Sequence, residues 1–202
     1  MADQREKSEV DGSTPLEDEE LEGLIPLHVQ TKSELNQWEA LNIARGQEWA
    51  SNHRSLNPMS VTGLKDLHVA MFGETWSWAG SFRQSDKNIS PYHWIQVPVL
   101  MHELVENTRA SYEANSKAQA NLDEIAVRFH HQLVRIHPWS NGNGRHARLA
   151  TDVLLERWGR PRFTWGSRAD LISEGVARNA YLAALRAADG GRYDLLLEFV
   201  RN

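Results

Sequence analysis

The 202-residue sequence predicts a single all-α domain with one small β-hairpin. Apolar residues recur at helical spacing along most of the chain, and this pattern is interrupted mainly within residues 81–97. The length fits one domain, and an apolar fraction of 41% with eight tryptophans provides enough material for a packed core. We expect residues 1–23 to be an acidic N-terminal segment and residues 24–202 to be the folded domain.

Charge and composition argue against several classes of protein. The net charge is −5, but residues 1–23 alone carry −7, so the folded part is nearly neutral and nucleic-acid binding is not expected. The absence of cysteine excludes disulfides and thiolate sites and favours a cytoplasmic protein. No apolar run reaches membrane-spanning length, and no signal peptide is visible, so association with a membrane is not expected.

The N-terminal half contains three predicted helices. The first is short and acidic, over residues 14–24. The second opens at the capping box Thr31–Glu34 and runs to about Ala50, and the third runs from about Ser60 to Phe72. The residues expected to face the core are Leu35, Trp38 and Leu41 in the second helix and Leu64, Leu67, His68 and Met71 in the third.

Residues 81–97 are predicted to form the hairpin. Ile89, Ile95 and Val97 favour strands, and Ser90-Pro91 between them is typical of a turn. The predicted pairing is Lys87–Ile89 against Trp94–Val97, and the alternative is an ordinary loop with one turn. Pro98 then starts a helix that extends to about Asn115.

The most informative stretch is His137-Pro-Trp-Ser-Asn-Gly-Asn-Gly-Arg-His-Ala-Arg148, which joins two predicted helices. Gly142 and Gly144 allow a sharp turn, and the second helix starts at about Asn143 to Arg145, so its unpaired N–H groups attract anions. Arg145 and Arg148 lie three residues apart and can add charge-assisted bonds to phosphate. With His137 as a possible base across the loop, the stretch predicts a phosphate cradle beside a general base.

The C-terminal part is predicted to contain a helix around Tyr181 to Ala188 and a final helix from Tyr193 to Val200. His130, His131 and His137 raise the alternative of a zinc site. No HExxH pattern or acidic third ligand accompanies them, so we expect His130 to pack in the core and His131 to face solvent.

The stretch from His137 to Arg148 resembles the signature HxFx(D/E)GNGRxxR of the Fic (Fic/Doc) family. Three further segments share the resemblance, which extends from about Leu24 to the C-terminus: residues 78–83, 129–131 and 181–189. The whole chain also resembles the bacterial subgroup called mobile mystery protein B. The resemblance implies a Fic-type helical domain whose β-hairpin flap covers the active site and receives the target, with Lys87, Ile89, Tyr92 or Trp94 touching it.

The resemblance also implies an activity, the transfer of AMP from ATP to a Ser, Thr or Tyr hydroxyl of a target protein. His137 would be the general base, and Arg148 would pair with the γ-phosphate. The other implied nucleotide-binding residues are Gly142, Asn143, Gly144, Arg145, Tyr181 and Asp189, the last two at the adenine. Asn141 replaces the acidic ligand that the family offers to Mg²⁺, so we expect weaker metal binding or a metal held mainly by the phosphates.

Many Fic proteins carry an inhibitory helix with the motif (S/T)xxxE(G/N), and Glu22-Gly23 matches its end, although Asp18 stands at the Ser/Thr position. A carboxylate of Glu22 on Arg148 would occupy the place of the γ-phosphate. Glu174-Gly175 is a competing match, and a plain solvated acidic helix is the simplest alternative for residues 14–24.

Two other functional hypotheses remain open at the level of sequence. The same cradle could serve another transfer, of a different nucleotide, of phosphocholine or of phosphate, or could remove AMP from a protein. A protein that only senses nucleotides, as one partner of a toxin–antitoxin-like pair, is the non-enzymatic hypothesis, and Asn141 is its best support.

Overall fold

The structure is a computed structural model, and it describes residues 21–29, 31–115, 122–168, 171 and 175–202. Within these ranges the fold is helical and contains no strand, and Leu24 and Trp76 form an isolated antiparallel bridge. The prediction of an all-α fold is confirmed. The helices that build it are α1 (Lys32–Asn52), α2 (Val61–Phe72), α3 (Val97–Asn115), α4 (Leu122–Ile136), α5 (Asn143–Arg157), α6 (Val176–Asp189) and α7 (Asp194–Arg201).

Capping residues set the starts of the first two helices, as the sequence predicts. The Thr31 hydroxyl accepts a hydrogen bond from the Glu34 amide at 3.2 Å, and the Glu34 carboxylate accepts one from the Thr31 amide at 2.9 Å. The Ser60 hydroxyl accepts from the Gly63 amide at 3.0 Å and so caps α2. These local bonds fix where α1 and α2 begin, and α2 then buries its predicted apolar face.

Helices α4 and α5 form the centre of the fold, because each contributes side chains to two hydrophobic clusters. Phe129 and Leu133 of α4 and Leu154 of α5 lie in the first cluster, whereas Ala126 of α4 and Leu155 of α5 lie in the second. The loop that joins α4 to α5 contains the signature residues, so both of its ends are attached to helices that pack in the two clusters. Among the described residues, no helix is both long and apolar enough to cross a membrane.

Residues 81–97 do not form the predicted hairpin of Lys87–Ile89 against Trp94–Val97. They form turns followed by a 3₁₀-helix, Trp94–Gln96, which continues into α3. Side chains bind backbone groups in and beside the predicted strands: the Trp94 amide donates to Asp86 at 2.8 Å, and Arg83 donates to the carbonyls of Ser85 and Tyr92, just outside the strands, at 2.7 Å. The strand propensity of the isoleucines is therefore overridden by these contacts.

Candidate active site

His137 is the first residue after α4, and it adopts a left-handed backbone conformation with φ +55°. This conformation costs a residue with a Cβ about 1 kcal/mol or more, and the surroundings hold it in place. The His137 carbonyl accepts a hydrogen bond from Arg83 Nε at 2.8 Å, and its amide donates to the Leu133 carbonyl at 3.2 Å. Strain of this kind outside glycine is frequent at functional sites.

The imidazole of His137 is buried, and the hydrogen bond that it makes selects its tautomer. Nδ1 lies 3.1 Å from the Val134 carbonyl, which can only accept, so Nδ1 carries the proton and Nε2 carries the lone pair. Burial lowers the pKa of His137 to about 4, and the charges of Arg83 and Lys87 add to this effect. At neutral pH the ring is therefore uncharged, which is the state that a general base needs.

Trp139 and Asn143 tie the two sides of the loop together. Asn143 accepts from the Trp139 amide at 2.9 Å and donates to the Trp139 carbonyl at 2.8 Å. The Trp139 indole is fully buried, as expected for a residue that anchors the loop in the core. The side chain of Asn143 thus shapes the loop, and its backbone N–H lies at the start of α5.

Two buried histidines connect the loop to α2. The His146 ring donates from Nε2 to the Leu64 carbonyl at 2.9 Å and accepts at Nδ1 from the Trp139 indole at 3.1 Å. The His68 ring donates from Nε2 to the Asn141 carbonyl at 3.2 Å and accepts at Nδ1 from the Gly80 amide at 3.0 Å. Both rings must be neutral to make these bonds, and burial lowers the pKa of each.

The start of α5 presents backbone donors. Gly142 has φ +78°, and a Cβ there would lie 2.4 Å from the Phe72 ring, so this position requires glycine. The Gly142 carbonyl accepts the first helical bond from the His146 amide. Among the described residues, no acceptor is bound by the backbone amides of Asn143, Gly144 and Arg145, and these donors favour an anion.

The two arginines of the signature have different surroundings. Arg145 donates from Nη1 to Glu39 at 2.9 Å and lies over the Phe72 ring. Arg148 lies beside Gly144 and over the Tyr181 ring, with 5.8 Å between its guanidinium carbon and the ring centroid. Within the described parts of the chain, Arg148 has no carboxylate within salt-bridge distance. Arg148 is therefore the cation of the cradle whose charge is not balanced there.

Tyr181 and Asp189 of α6, both predicted to meet the adenine, lie in different settings. The Tyr181 hydroxyl is 2.8 Å from His130 Nε2, and the residue is buried beneath Arg148. Asp189 is half-exposed and lies 2.9 Å from His131 Nε2. The prediction that His131 faces solvent is wrong, because its side chain is only 2% exposed and also meets the Tyr193 hydroxyl. The roles of Tyr181 and Asp189 toward adenine stay predictions.

Asn141 is the side chain whose chemistry fits a metal ion at this site. Its Oδ1 accepts one hydrogen bond, from the Gly142 amide at 2.7 Å, which leaves a second lone pair on this oxygen, and the residue is partly exposed. Its Nδ2 donates to Glu39 at 3.3 Å, which fixes the orientation of the amide. A neutral oxygen donor of this kind suits Mg²⁺ that is held mainly by phosphate oxygens.

The remaining predicted site residues lie around the loop or apart from it. Lys87 is buried close enough to His137 to influence its charge, whereas Ile89 is partly exposed and Trp94 is exposed. Glu22 is exposed and forms no ion pair with Arg148 among the described residues. Most of the predicted acidic helix, and Glu174, lie outside the described ranges.

Sequence reasoning missed two residues of the site, Arg83 and Glu39. Arg83 belongs to a segment that carries the family resemblance, and that was the available signal for it. Glu39 is buried on α1 and contacts both Asn141 and Arg145. No signal in the sequence singles out Glu39, because one acid in a charged helix usually faces solvent.

Comparisons with known proteins identify the domain. Residues 58–155 match the Fic/DOC family. The protein adenylyltransferase fic-1 of Caenorhabditis briggsae is 23% identical over 134 residues, which are 66% of this chain and 25% of that protein. The uridine 5'-monophosphate transferase of Xanthomonas campestris pv. campestris (strain 8004) is 41% identical over 49 residues, 24% of this chain and 9% of that protein. The aligned regions therefore span a quarter or less of these relatives.

The fold agrees with this match. The BepC protein of Bartonella tribocorum, solved with bound AMPPNP, superposes with a TM-score of 0.65 at 15% identity, over 92% of this chain and 97% of that chain. At this level of identity the likeness shows the fold alone. The match over residues 58–155 shows a Fic/DOC family domain in that part of the chain, and the likeness to BepC agrees with it in fold. The narrower resemblance to the mobile mystery protein B subgroup stays a prediction.

Proposed function

We propose that this protein is a protein adenylyltransferase, which transfers AMP from ATP to a hydroxyl side chain of a target protein. The observation that carries the proposal is one loop with a neutral, buried histidine at one end and an anion-attracting helix start at the other. The pKa of His137 is lowered to about 4, and Arg148 lies beside the open backbone amides of α5 without a carboxylate partner among the described residues.

In the proposed reaction, the target hydroxyl gives its proton to Nε2 of His137 as its oxygen attacks the α-phosphorus. The bond between the α-phosphorus and the bridging oxygen to the β-phosphate breaks, and pyrophosphate leaves. Amides at the start of α5 and the charge of Arg148 stabilise the phosphate oxygens. The Val134 carbonyl holds the ring in the tautomer that can accept the proton.

A metal ion has a limited part in the proposed reaction. When bound, Mg²⁺ would neutralise charge on the phosphates, and Oδ1 of Asn141 is the side-chain oxygen that would help to hold it. Because Asn141 brings no charge, the affinity for the metal would depend mostly on the nucleotide.

The relatives support transfer of a nucleoside monophosphate and also provide the second candidate. One is a protein adenylyltransferase and another a uridine 5'-monophosphate transferase, and the BepC structure contains an ATP analogue. The uridylyltransferase matches at the higher identity but over only 49 residues. UMP transfer is therefore the alternative that a test should separate from AMP transfer.

The test compares label transfer by the wild type, His137→Asn and a matched control, His102→Asn. Asparagine tolerates the left-handed backbone at position 137 better than most residues, so the fold should be retained. His102 is exposed on α3, away from the loop. Each protein would be incubated with Mg²⁺, a bacterial lysate and α-labelled ATP, α-labelled UTP or γ-labelled ATP, and labelled proteins would be resolved and identified by mass spectrometry.

We expect label from α-labelled ATP with the wild type and His102→Asn, and at least about a hundredfold less with His137→Asn, as for loss of a general base. If label is transferred from α-labelled UTP and not from α-labelled ATP, the transferred group is UMP and not AMP. Transfer from γ-labelled ATP would show a phosphate transfer instead. Equal labelling by His137→Asn and the wild type would remove His137 from its role, and nucleotide binding without any transfer would favour the non-enzymatic hypothesis.

Inhibition by Glu22 is a separate part of the proposal. In the structure Glu22 is exposed, so the proposed pair with Arg148 would need the acidic segment to dock over the cradle. Glu22→Gly should then increase labelling, whereas Glu48→Gly, at an exposed acid of α1, should not. Equal labelling by Glu22→Gly and the wild type would rule out this inhibitor. A target protein and an antitoxin-like partner remain predictions for the same lysate experiment.

A further inference from the structure

Glu39 is a buried carboxylate that α1 places against the signature loop. Its side chain is 4% exposed, and it precedes Asn141 by 102 residues and Arg145 by 106 residues. It accepts hydrogen bonds from Nη1 of Arg145 at 2.9 Å, from the Trp76 indole at 2.8 Å and from Nδ2 of Asn141 at 3.3 Å. A buried carboxylate needs such donors, because burial without them is costly.

The partners of Glu39 stand on opposite sides of the tight turn at Gly142–Gly144. Asn141 precedes the turn, and Arg145 lies in the first turn of α5. Because one carboxylate binds both, it limits how far the two ends of the turn can move apart. The amide oxygen of Asn141 is also held, since Oδ1 accepts a hydrogen bond from the Gly142 amide.

The same contact separates the roles of the two arginines. Glu39 balances the charge of Arg145 and binds its Nη1, while Phe72 packs against the guanidinium. Arg145 still has other N–H groups, because a guanidinium has five. Arg148 has no comparable partner among the described residues, so it is left to meet the most negative phosphate.

We propose that Glu39 is a positioning residue of the nucleotide site, which clips Asn141 to Arg145 and so preforms the phosphate cradle. The inference rests on the proposed nucleotide-binding function, and it adds a residue from outside the signature. It also gives a physical reason for the neutral side chain at position 141. An aspartate there would place a second carboxylate about 3.3 Å from Glu39, where like charges repel strongly.

The test is a charge exchange between positions 39 and 141. The variants are Glu39→Gln, Asn141→Asp and the double variant, with Glu48→Gln as the control, because Glu48 is an exposed acid on the same helix. For each protein, the unfolding temperature would be measured without nucleotide, and the Kd for ATP by calorimetry on folded protein without divalent metal, so that an acid at position 141 cannot add affinity through Mg²⁺. Label transfer would be followed in parallel to separate KM from kcat.

We expect Glu39→Gln and Asn141→Asp each to weaken ATP binding on the order of tenfold, the scale of one charge-assisted hydrogen bond. In the double variant the amide at 39 can donate to the carboxylate at 141, so part of both losses should be recovered; the bond from the Trp76 indole and the charge opposite Arg145 are not restored. The unfolding temperature should follow the same order, and Glu48→Gln should match the wild type. If Glu39→Gln weakens ATP binding and raises KM but leaves kcat unchanged, Glu39 acts by positioning the nucleotide site.

Two results would overturn the inference. If the effects of the two substitutions simply add in the double variant, the residues do not act as one unit. If Glu39→Gln lowers the unfolding temperature but leaves the Kd for ATP unchanged, Glu39 only stabilises the fold. Failure of the proposed function is distinguishable, because a wild type that binds no nucleotide would contradict that function, while the unfolding temperatures would still test the clip.

Discussion

Arg83 offers the sharpest test of how the site is held together. Its guanidinium is fully buried and makes at least four hydrogen bonds: to the carbonyls of His137, Ser85 and Tyr92, at 2.7–2.8 Å, and to the Ser90 hydroxyl at 3.3 Å. These acceptors come from both the signature loop and residues 85–92. Arg83→Lys keeps the charge but replaces a planar fork by one ammonium group.

The loss can be estimated from the geometry. A lysine ammonium donates at most three hydrogen bonds from a single atom, so it cannot reach the His137 carbonyl and the Ser85 and Tyr92 carbonyls together. Losing one or two bonds to a charged donor, at about 1.5–3 kcal/mol each, should lower the free energy of unfolding by about 2–4 kcal/mol after partial compensation. For a protein of this size, the melting temperature should fall by about 5–15 °C.

The assay is chemical and thermal unfolding followed by tryptophan fluorescence, with Arg54→Lys as the matched control. Arg54 is exposed and lies in the turn after α1, so its substitution should change the unfolding free energy by less than about 0.5 kcal/mol. An unfolding free energy of Arg83→Lys within about 0.5 kcal/mol of the wild-type value would contradict this expectation. In that case, Arg83 would not hold the His137 backbone in place.

Three further predictions concern the loop and the buried titrating groups. Gly142→Ala should lower the free energy of unfolding by several kcal/mol, because φ is +78° and the new Cβ would meet Phe72 at 2.4 Å. Gly144→Ala should change it by less than about 1 kcal/mol, and equal denaturation midpoints of the two variants would contradict this. Acidification from pH 6.5 to 4 should lower the unfolding free energy, because His146 takes up a proton near pH 6.5 in the unfolded chain, whereas burial lowers its pKa to about 4 in the folded protein. An unfolding free energy that does not change over this pH range would contradict this. In Asp152→Asn the unfolding free energy should fall more steeply with decreasing pH, since burial raises the pKa of Asp152 to about 6 and its protonation stabilises the wild type as pH falls. If urea unfolding gives the same dependence of this free energy on pH for variant and wild type, Asp152 does not contribute to it.

Helix α1 shows where periodicity fails. Its start was predicted correctly from the capping box, but its buried face only in part, since Leu35 packs against the core as predicted. Leu41, expected in the core, is 46% exposed, whereas Glu39 and Asn42 are each 3% exposed. Asn42 accepts from the Thr75 hydroxyl and Glu39 from the Trp76 indole, so the buried side chains in the middle of this helix are polar. Hydrophobic periodicity cannot find such a face, because burial there depends on donors supplied by another segment.

The sequence by itself determined the helical class, the starts of α1 and α2, the glycine at the tight turn and the loop that carries the signature. Each of these depends on residues within a few positions of one another, where capping, backbone sterics and periodicity act. Only the tertiary structure decided that Arg145 meets Glu39, that Arg83 replaces a hairpin by side-chain contacts and that His131 is buried. Buried polar groups take their partners from whichever segment folds over them, and that choice is not encoded locally.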